Sequence, residues 1–378
     1  VTGNQDIANY SSLVTMETGG VYINPDGEWR QTYGSNKNPN PNLKWERKKE
    51  YNIGADFSVL NKRLSGSLDV FKRVTNDLLY NYTSQLPPFV RETIYTNVGS
   101  ISNKGVELYL NAVPVKTNDF TWSIDATGSF ITNKADNLSN DVFKVASISL
   151  GSIGGYGALG EAMRINQGGR LGNFYGKRFA GFTDDGKWLF YNRNNEKVPF
   201  DQINSSNDPN KSDLAIIGNG IPKFNASLAN NFSYKNWNLR VAFRGRFDYD
   251  ILNTMALSYG NKVSLPNNVL NSTFGKYAKL NDTYMYSDYY LESGSFVKLD
   301  EITLSYKFNL KNSFIRTLSV YATGSNLATF TKYTGNDPDF VNDTGLGNKS
   351  GNDLSLGIDS RSPYPNTRSF LVGLNLGF

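Results

Sequence analysis

From Tyr51 the chain alternates with a period of two. Tyr51, Ile53, Ala55, Phe57 and Val59 fall on one side of an extended segment, and Asn52, Gly54, Asp56 and Ser58 on the other. Successive side chains of a strand point to opposite faces, so this pattern predicts a strand with one apolar and one polar face. A turn at Asn61-Lys62-Arg63 leads into Leu64, Gly66, Leu68 and Val70, alternating with Ser65, Ser67 and Asp69, which completes a hairpin. The unit recurs. Val106, Leu108, Leu110 and Ala112 pair with Phe120, Trp122, Ile124 and Ala126 through a turn near Thr117-Asn118-Asp119. Phe224, Ala226 and Leu228 pair with Leu239, Val241, Phe243 and Phe247 through Tyr234-Lys235-Asn236. Ile302, Leu304, Tyr306 and Phe308 pair with Leu318, Val320 and Ala322, and a last strand carries Phe370, Val372, Leu374, Leu376 and Phe378.

Soluble β-sandwiches alternate too, so the connections decide the architecture. Short turns alternate with long polar stretches, at residues 1–46, 80–96, 134–221, 252–293 and 331–365. Short turns at one rim and long loops at the other are the layout of an outer-membrane barrel. Strands of about 9–14 residues suit a tilted membrane crossing. The predicted class is all-β, an antiparallel transmembrane β-barrel, with antiparallel pairing only and at most short helices in the loops. About nine strands are too few to close a large, loop-rich barrel, whose strand number is even. The opening Val1-Thr2-Gly3-Asn4-Gln5 has no basic start, apolar stretch or cleavage site of a secretory leader. Residues 1–378 are therefore expected to be the C-terminal portion of one barrel whose beginning lies upstream.

Composition agrees. Only 39% of residues are hydrophobic, yet 13% are aromatic, with 23 Tyr and 23 Phe. That balance fits a sheet with one greasy and one wet face, girdled by aromatics. No stretch approaches the roughly 18 apolar residues of a membrane-spanning helix, which a barrel does not need. With no cysteine and no histidine, disulfides, thiolate nucleophiles and Ser-His-Asp triads are excluded. The formal net charge of +5 is spread along the chain, and no basic run interleaves with aromatics, so nucleic acid is not an expected partner.

Several segments stand out in order and spacing. They are Val1-Thr2-Gly3-Asn4-Gln5 with Tyr10, Asn40-Pro41-Asn42-Leu43-Lys44-Trp45-Glu46, and Asn97-Val98-Gly99-Ser100-Ile101 followed by Asn103-Lys104-Gly105-Val106-Glu107. Further on come Gly218-Asn219-Gly220-Ile221-Pro222-Lys223-Phe224, Thr331-Lys332-Tyr333-Thr334-Gly335-Asn336-Asp337-Pro338, Gly357-Ile358-Asp359 and Tyr364-Pro365-Asn366-Thr367-Arg368. Together they resemble the SusC/RagA family of TonB-dependent outer-membrane transporters. The resemblance implies a barrel of about 22 strands, within the known range, with loops extracellular and the C-terminus at the periplasmic rim. It also implies an upstream plug domain absent from this chain, an upstream segment that contacts TonB, and a SusD-like lipoprotein over the mouth. The implied activity is energised import of oligosaccharides or peptides, without enzymatic chemistry or cofactor. A passive porin-like channel and a structural part in a larger outer-membrane complex are the alternatives. Alternating apolar residues ending on Phe378 resemble the signal read by the outer-membrane barrel assembly machinery, so Phe370, Val372, Leu374, Leu376 and Phe378 are its candidates and outer-membrane lipids their expected contact.

Candidate chemistry is sparse. With Leu239, Val241 and Phe243 towards lipid, Arg240, Arg244 and Arg246 face the lumen, because charges on the lipid face cost about 2–4 kcal/mol each at mid-depth. They could grip carboxylates of the plug or anionic groups of a substrate, or merely hydrate the lumen. Trp29, Tyr33, Tyr156, Phe174 and Tyr175 could stack on sugar rings, or pack the loops. Asp337, Asp339, Asn342 and Asp343 could offer oxygens to calcium, though without EF-hand spacing. Gly155-Tyr156-Gly157-Ala158-Leu159-Gly160 matches G-x-G-x-x-G but lacks the strand and helix of a nucleotide site.

Overall fold

The computed structural model describes residues 10–140, 143–153, 159–308, 310, 314–340, 356–359 and 366–378. Nine strands form one antiparallel meander. In chain order they are β1 (Arg47–Val59), β2 (Leu64–Asn76), β3 (Ser100–Lys116), β4 (Phe120–Asn137), β5 (Phe224–Tyr234), β6 (Trp237–Phe247), β7 (Phe296–Phe308), β8 (Thr317–Thr331) and β9 (Ser369–Gly377). Each pairs with its sequence neighbours, and β1 and β9 form the two edges. Lengths run from 9 residues in β9 to 18 in β4, so the longest strands exceed the expected range.

Register turns the sequence alternation into faces. One cross-strand row reads Val70, Val106, Phe130, Phe224 and Phe247, and another Trp122, Phe232, Leu239, Leu304, Ala322 and Val372. A third, near the short turns, reads Phe120, Tyr234, Trp237 and Tyr306. All lie on one face, where Ile53 is 81% and Phe370 79% exposed. An apolar face this extensive cannot stand in water; hydrocarbon is its solvent. Asn230 is a polar intruder on it between two apolar rows, paired with Ile124 and Val241, and its Oδ1 accepts from Trp122 Nε1 at 3.2 Å. The opposite face reads Asp69, Glu107, Ser129, Asn225 and Arg246 in one row, and Ser67, Tyr109, Thr127, Ser227, Arg244 and Lys298 in the next.

Four register shifts correct a strict parity reading. They fall between Ala112 and Val115 in β3, between Ala135 and Asn137 in β4, between Leu299 and Glu301 in β7, and opposite the latter in β8. Each bulge adds a residue and re-aims its neighbours. Thus Val297 and Leu299 join the apolar face with Ile302 and Leu304, while Lys298 turns to the polar side.

The short turns join β1 to β2, β3 to β4 and β5 to β6, and the long connections rise from the other ends. They are more ordered than the expected polar loops. Strands Ser147–Ser152, Glu161–Asn166, Asn173–Gly176 and Ala215–Asn219 form one sheet, and Arg178–Phe182, Trp188–Tyr191 and Lys197–Pro199 another. They enclose a dry core in which Trp188, Phe174, Phe190, Tyr277, Tyr290 and Met163 are fully buried, closing on Ala135 of β4. One α-helix, Thr254–Tyr259, sits among them, capped by Asn253. Pairing is not exclusively antiparallel. Leu252 and Asn253 run parallel to Ile358 and Asp359, and Lys177 bridges Ser287 in parallel. Both contacts join different connections, where no hairpin dictates direction.

Candidate functional site

Between β2 and β7 the polar face holds an open trough of about 580 Å³, lined by Ser67, Asp69, Glu107, Tyr109, Arg244 and Arg246 among others. Its two ends differ in charge. At the β2–β3 end Asp69 and Glu107 stand directly opposite each other, an arrangement that costs stability. Among the described residues no cation pairs with either; Asp69 accepts only from Asn52 Nδ2, at 3.2 Å. Deeper along the wall, Asp125 accepts from Asn111 at 2.7 Å, Tyr109 at 3.2 Å and Asn231 at 2.8 Å. Asn231 in turn accepts from Arg240 Nη1 at 2.9 Å, and Arg240 lies 3.7 Å from Glu301. A polar relay therefore crosses from β3 to β7.

The β6–β7 end is cationic but answered. Arg244 Nε lies 2.9 Å from Asp300, the residue thrown out by the β7 bulge, and its Nη2 lies 2.6 Å from Asp339. Arg246 Nη1 meets the same Asp339 at 3.2 Å. Lys298, completely buried, lies 2.8 Å from Asp337 and 3.5 Å from Asp339. Both aspartates belong to the segment leaving β8. Asn366 Nδ2 donates to Asp337 Oδ2 and to the Asp339 carbonyl, and Tyr249 OH donates to the Pro338 carbonyl at 3.1 Å. Beneath lies a small dry cluster of Tyr249, Ile251, Phe296 and Tyr333, with Phe340 against it. Burial pushes the Asp337 carboxyl up, but hydrogen bonds from Lys298, the Asp339 N–H and Asn366 outweigh it, leaving Asp337 below the usual carboxylate range.

The structure thus brings Arg244 and Arg246 together on one carboxylate and sets Arg240 apart with Glu301. Of the calcium candidates, Asp337 and Asp339 are engaged by three protein cations, Lys298, Arg244 and Arg246. Asn342 and Asp343 lie outside the described residues, as do Tyr156 and most of the glycine-rich match around it. Phe174 is fully buried in the loop core, so no face of its ring is open to a sugar, contrary to its candidacy. Tyr175 stacks under Arg164 at 4.8 Å, and its hydroxyl reaches Ser212 at 3.4 Å. Trp29 and Tyr33 are exposed on the hairpin Met16–Ile23 with Trp29–Ser35. Phe370, Val372, Leu374 and Leu376 line the apolar face of β9, and the Phe378 ring packs edge-on against Phe314 at 5.6 Å. Sequence reasoning missed Lys298 and Asp300; a lysine inside the otherwise apolar run Phe296-Val297-Lys298-Leu299 was the available signal.

The loop segments quoted above for their family resemblance serve as fasteners. Asn97 accepts from Lys44 N–H at 2.8 Å and donates to the Lys44 and Asp77 carbonyls. Asn219 N–H donates to Asp250 at 2.9 Å, while its side chain holds Leu171 and Asn173. Gly220 packs so closely on Leu356 and Gly357 that any Cβ would collide with the Leu356 carbonyl. Thr334 ties its backbone and hydroxyl to Glu292, and Tyr333 OH donates to Asp359.

Comparison with known proteins fits this wall. A family model described as TonB dependent receptor-like, beta-barrel, matches residues 4–327. TonB-dependent receptor P39 of Formosa agariphila is 30% identical across 100% of the chain, which covers 39% of that relative. TonB-dependent receptor SusC of Bacteroides thetaiotaomicron is 28% identical, with 100% and 37% covered. The solved RagAB peptide importer in its open-open state is similar in fold, with a TM-score of 0.76 at 21% identity, covering 100% of this chain and 39% of that one. The chain spans well under half the length of these relatives.

Proposed function

The chain belongs to the TonB dependent receptor-like β-barrel family, and from that premise we propose that it is part of the wall of an outer-membrane nutrient importer, not an enzyme. In this reading residues 1–378 are the C-terminal portion of one barrel, and β1 and β9 pair with strands supplied upstream. Unpaired strand edges in hydrocarbon leave backbone groups that each cost several kcal/mol, which supports that completion. The long connections face the exterior and the short turns the periplasm. Import is energised through TonB, and a SusD-like lipoprotein covers the mouth, as the relatives named SusC and RagAB suggest. The solute is an oligosaccharide or a peptide.

The observation that carries the proposal is the two-faced wall: a continuous apolar face outside and a charged trough inside, with zoned acidic and basic ends. Oriented charge along a lumen suits a polar solute. Within that trough Arg240, Arg244 and Arg246 are the proposed lumenal contacts, and exposed Trp29 and Tyr33 the proposed loop contacts for a solute. Uptake of labelled oligosaccharide and oligopeptide pools is the test, in cells carrying the full-length protein with and without TonB. Uptake that needs both proteins is expected. Undiminished uptake without TonB would make the barrel a passive pore and reject the energised reading.

A further inference from the structure

The cationic end of the trough is closed by a piece of the same chain. Asp337-Pro338-Asp339 lies across β6 and β7 as a strap, and its two carboxylates are matched to three wall cations. With the strap in place, Arg244, Arg246 and Lys298 face Asp300, Asp337 and Asp339, and the site is neutral. Swinging Asp339 away leaves Asp300 and Asp337 to face three cations, and the trough gains one uncompensated positive charge. Asp339 is the decisive group, because Arg246 has no other carboxylate partner among the described residues.

We propose that Asp339 is a built-in pseudo-ligand, and that the Arg244–Arg246 pair is an oxyanion subsite which opens when a solute carboxylate or phosphate displaces the strap. This rests on the reading of the polar face as a lumen. The geometry supports exchange rather than a permanent weld. Arg244 and Arg246 are partly open to the trough, with 36% and 46% of their side chains exposed, whereas Asp339 is only 9% exposed. An incoming oxyanion therefore approaches the guanidinium groups from the trough while the strap leaves from the other side. Two planar guanidinium groups suit the paired oxygens of a carboxylate or phosphate. The strap's other tethers are few. Apart from its ion pairs it is held by the Tyr249 and Asn366 hydrogen bonds and by Phe340 on the small cluster. Lys298, fully buried, keeps Asp337 as its own partner, so Asp339 can swing away while that contact still anchors the strap.

Oxyanion binding and strap closure are then mutually exclusive, and linkage makes the antagonism reciprocal. The test uses the full-length protein in detergent, inorganic phosphate as probe and chloride at matched ionic strength as control. Hydrogen exchange is followed in the peptide spanning Lys332–Phe340, and phosphate binding by calorimetry. In the unmodified protein, phosphate is expected to speed exchange of the strap while β6 and β7 stay protected. Asp339→Asn is expected to bind phosphate about tenfold tighter, a change of about 1.4 kcal/mol, and adding Arg246→Gln should abolish that gain. Strap exchange indifferent to saturating phosphate would overturn the proposal, and so would an Asp339→Asn affinity equal to that of the unmodified protein. The first measurement needs no variant, so a misfolded Asp339→Asn does not remove the test. Neither measurement depends on solute uptake, so a failed importer reading and a failed strap reading give different results.

Discussion

Glu292 takes hydrogen bonds from Lys276 at 2.8 Å, from the Thr334 N–H at 2.7 Å and from the Thr334 hydroxyl, with Tyr277 and Asn253 at 3.4 Å. Burial opposes its charge, but the Lys276 and Thr334 donors and the Lys276 charge hold it below the usual carboxylate range. A depressed carboxylate contributes stability that is complete above its unfolded value, about 4.3, and is lost as pH falls through its folded value. Glu292→Gln should therefore cost about 2 kcal/mol at neutral pH, the scale of hydrogen bonds to a charged group, since Lys276 itself stays half exposed. The gap in melting temperature from the unmodified protein should close only below about pH 4.3. A gap of constant size down to pH 3 would show that charge is not the cause. Arg170 is the opposite case. Its Nε and Nη2 are buried without an acceptor among the described residues, which costs roughly 1–3 kcal/mol. Arg170→Met should raise the melting temperature; a fall would mean that the guanidinium has a partner in the full-length protein. Neither role was legible beforehand. Residues such as Asn219 and Thr334 stood out by resemblance, but a fastener is defined by what it reaches across the chain, and Asp250 and Glu292 are far from them in sequence.

The strands were the legible part, and the reason is physical. A face in hydrocarbon tolerates almost no polar residue, so period-two alternation survives along β1, β2, β5, β6 and β9 with few exceptions. It fails at bulges. Counting by twos backwards from Ile302 puts Lys298 and Asp300 into lipid, whereas the bulge at Asp300 turns Lys298 inward and lets Val297 and Leu299 take the apolar side. One extra residue carries no compositional mark, so the cationic end of the trough could not be placed from the sequence. The loop sheets were hidden for a different reason: Phe174, Trp188 and Phe190 are core residues inside short strands, without the length that makes alternation readable. For β9, Phe370, Val372, Leu374 and Leu376 give a strong apolar face on an edge strand. Deleting Phe378 should reduce insertion into the outer membrane of cells while leaving barrel already folded in detergent almost unchanged. Normal surface yield of the deletion in cells would show that its ring serves only the packing on Phe314. Gly220→Ala should loosen the loops without touching the wall, read as faster exchange in Gly218–Ile221 and in Leu356–Asp359 with β4 and β5 still protected.

For the molecule as a whole, apolar outside, charged inside and ordered above are three separate jobs, and variants should separate them. Replacing Arg240, Arg244 and Arg246 together with Ala should leave the barrel assembled, because the apolar face is untouched. Uptake should fall and the strap should exchange faster, since Asp339 loses both its arginines. Assembly lost at the same rate as uptake would make the arginines structural. The spacing of the aromatic rows has a further consequence. Phe120, at the level of Tyr234 and Trp237, lies ten residues from Phe130 along β4. At about 3.3 Å per residue and a tilt of about 45°, that is a vertical distance of about 23 Å, close to the roughly 25 Å apolar band of such barrels. β4 then continues seven residues beyond Phe130 to Asn137, a further rise of about 16 Å by the same geometry. On the proposed membrane placement, the loop core closing on Ala135 therefore has freeboard, and stands clear of the headgroups like a deckhouse.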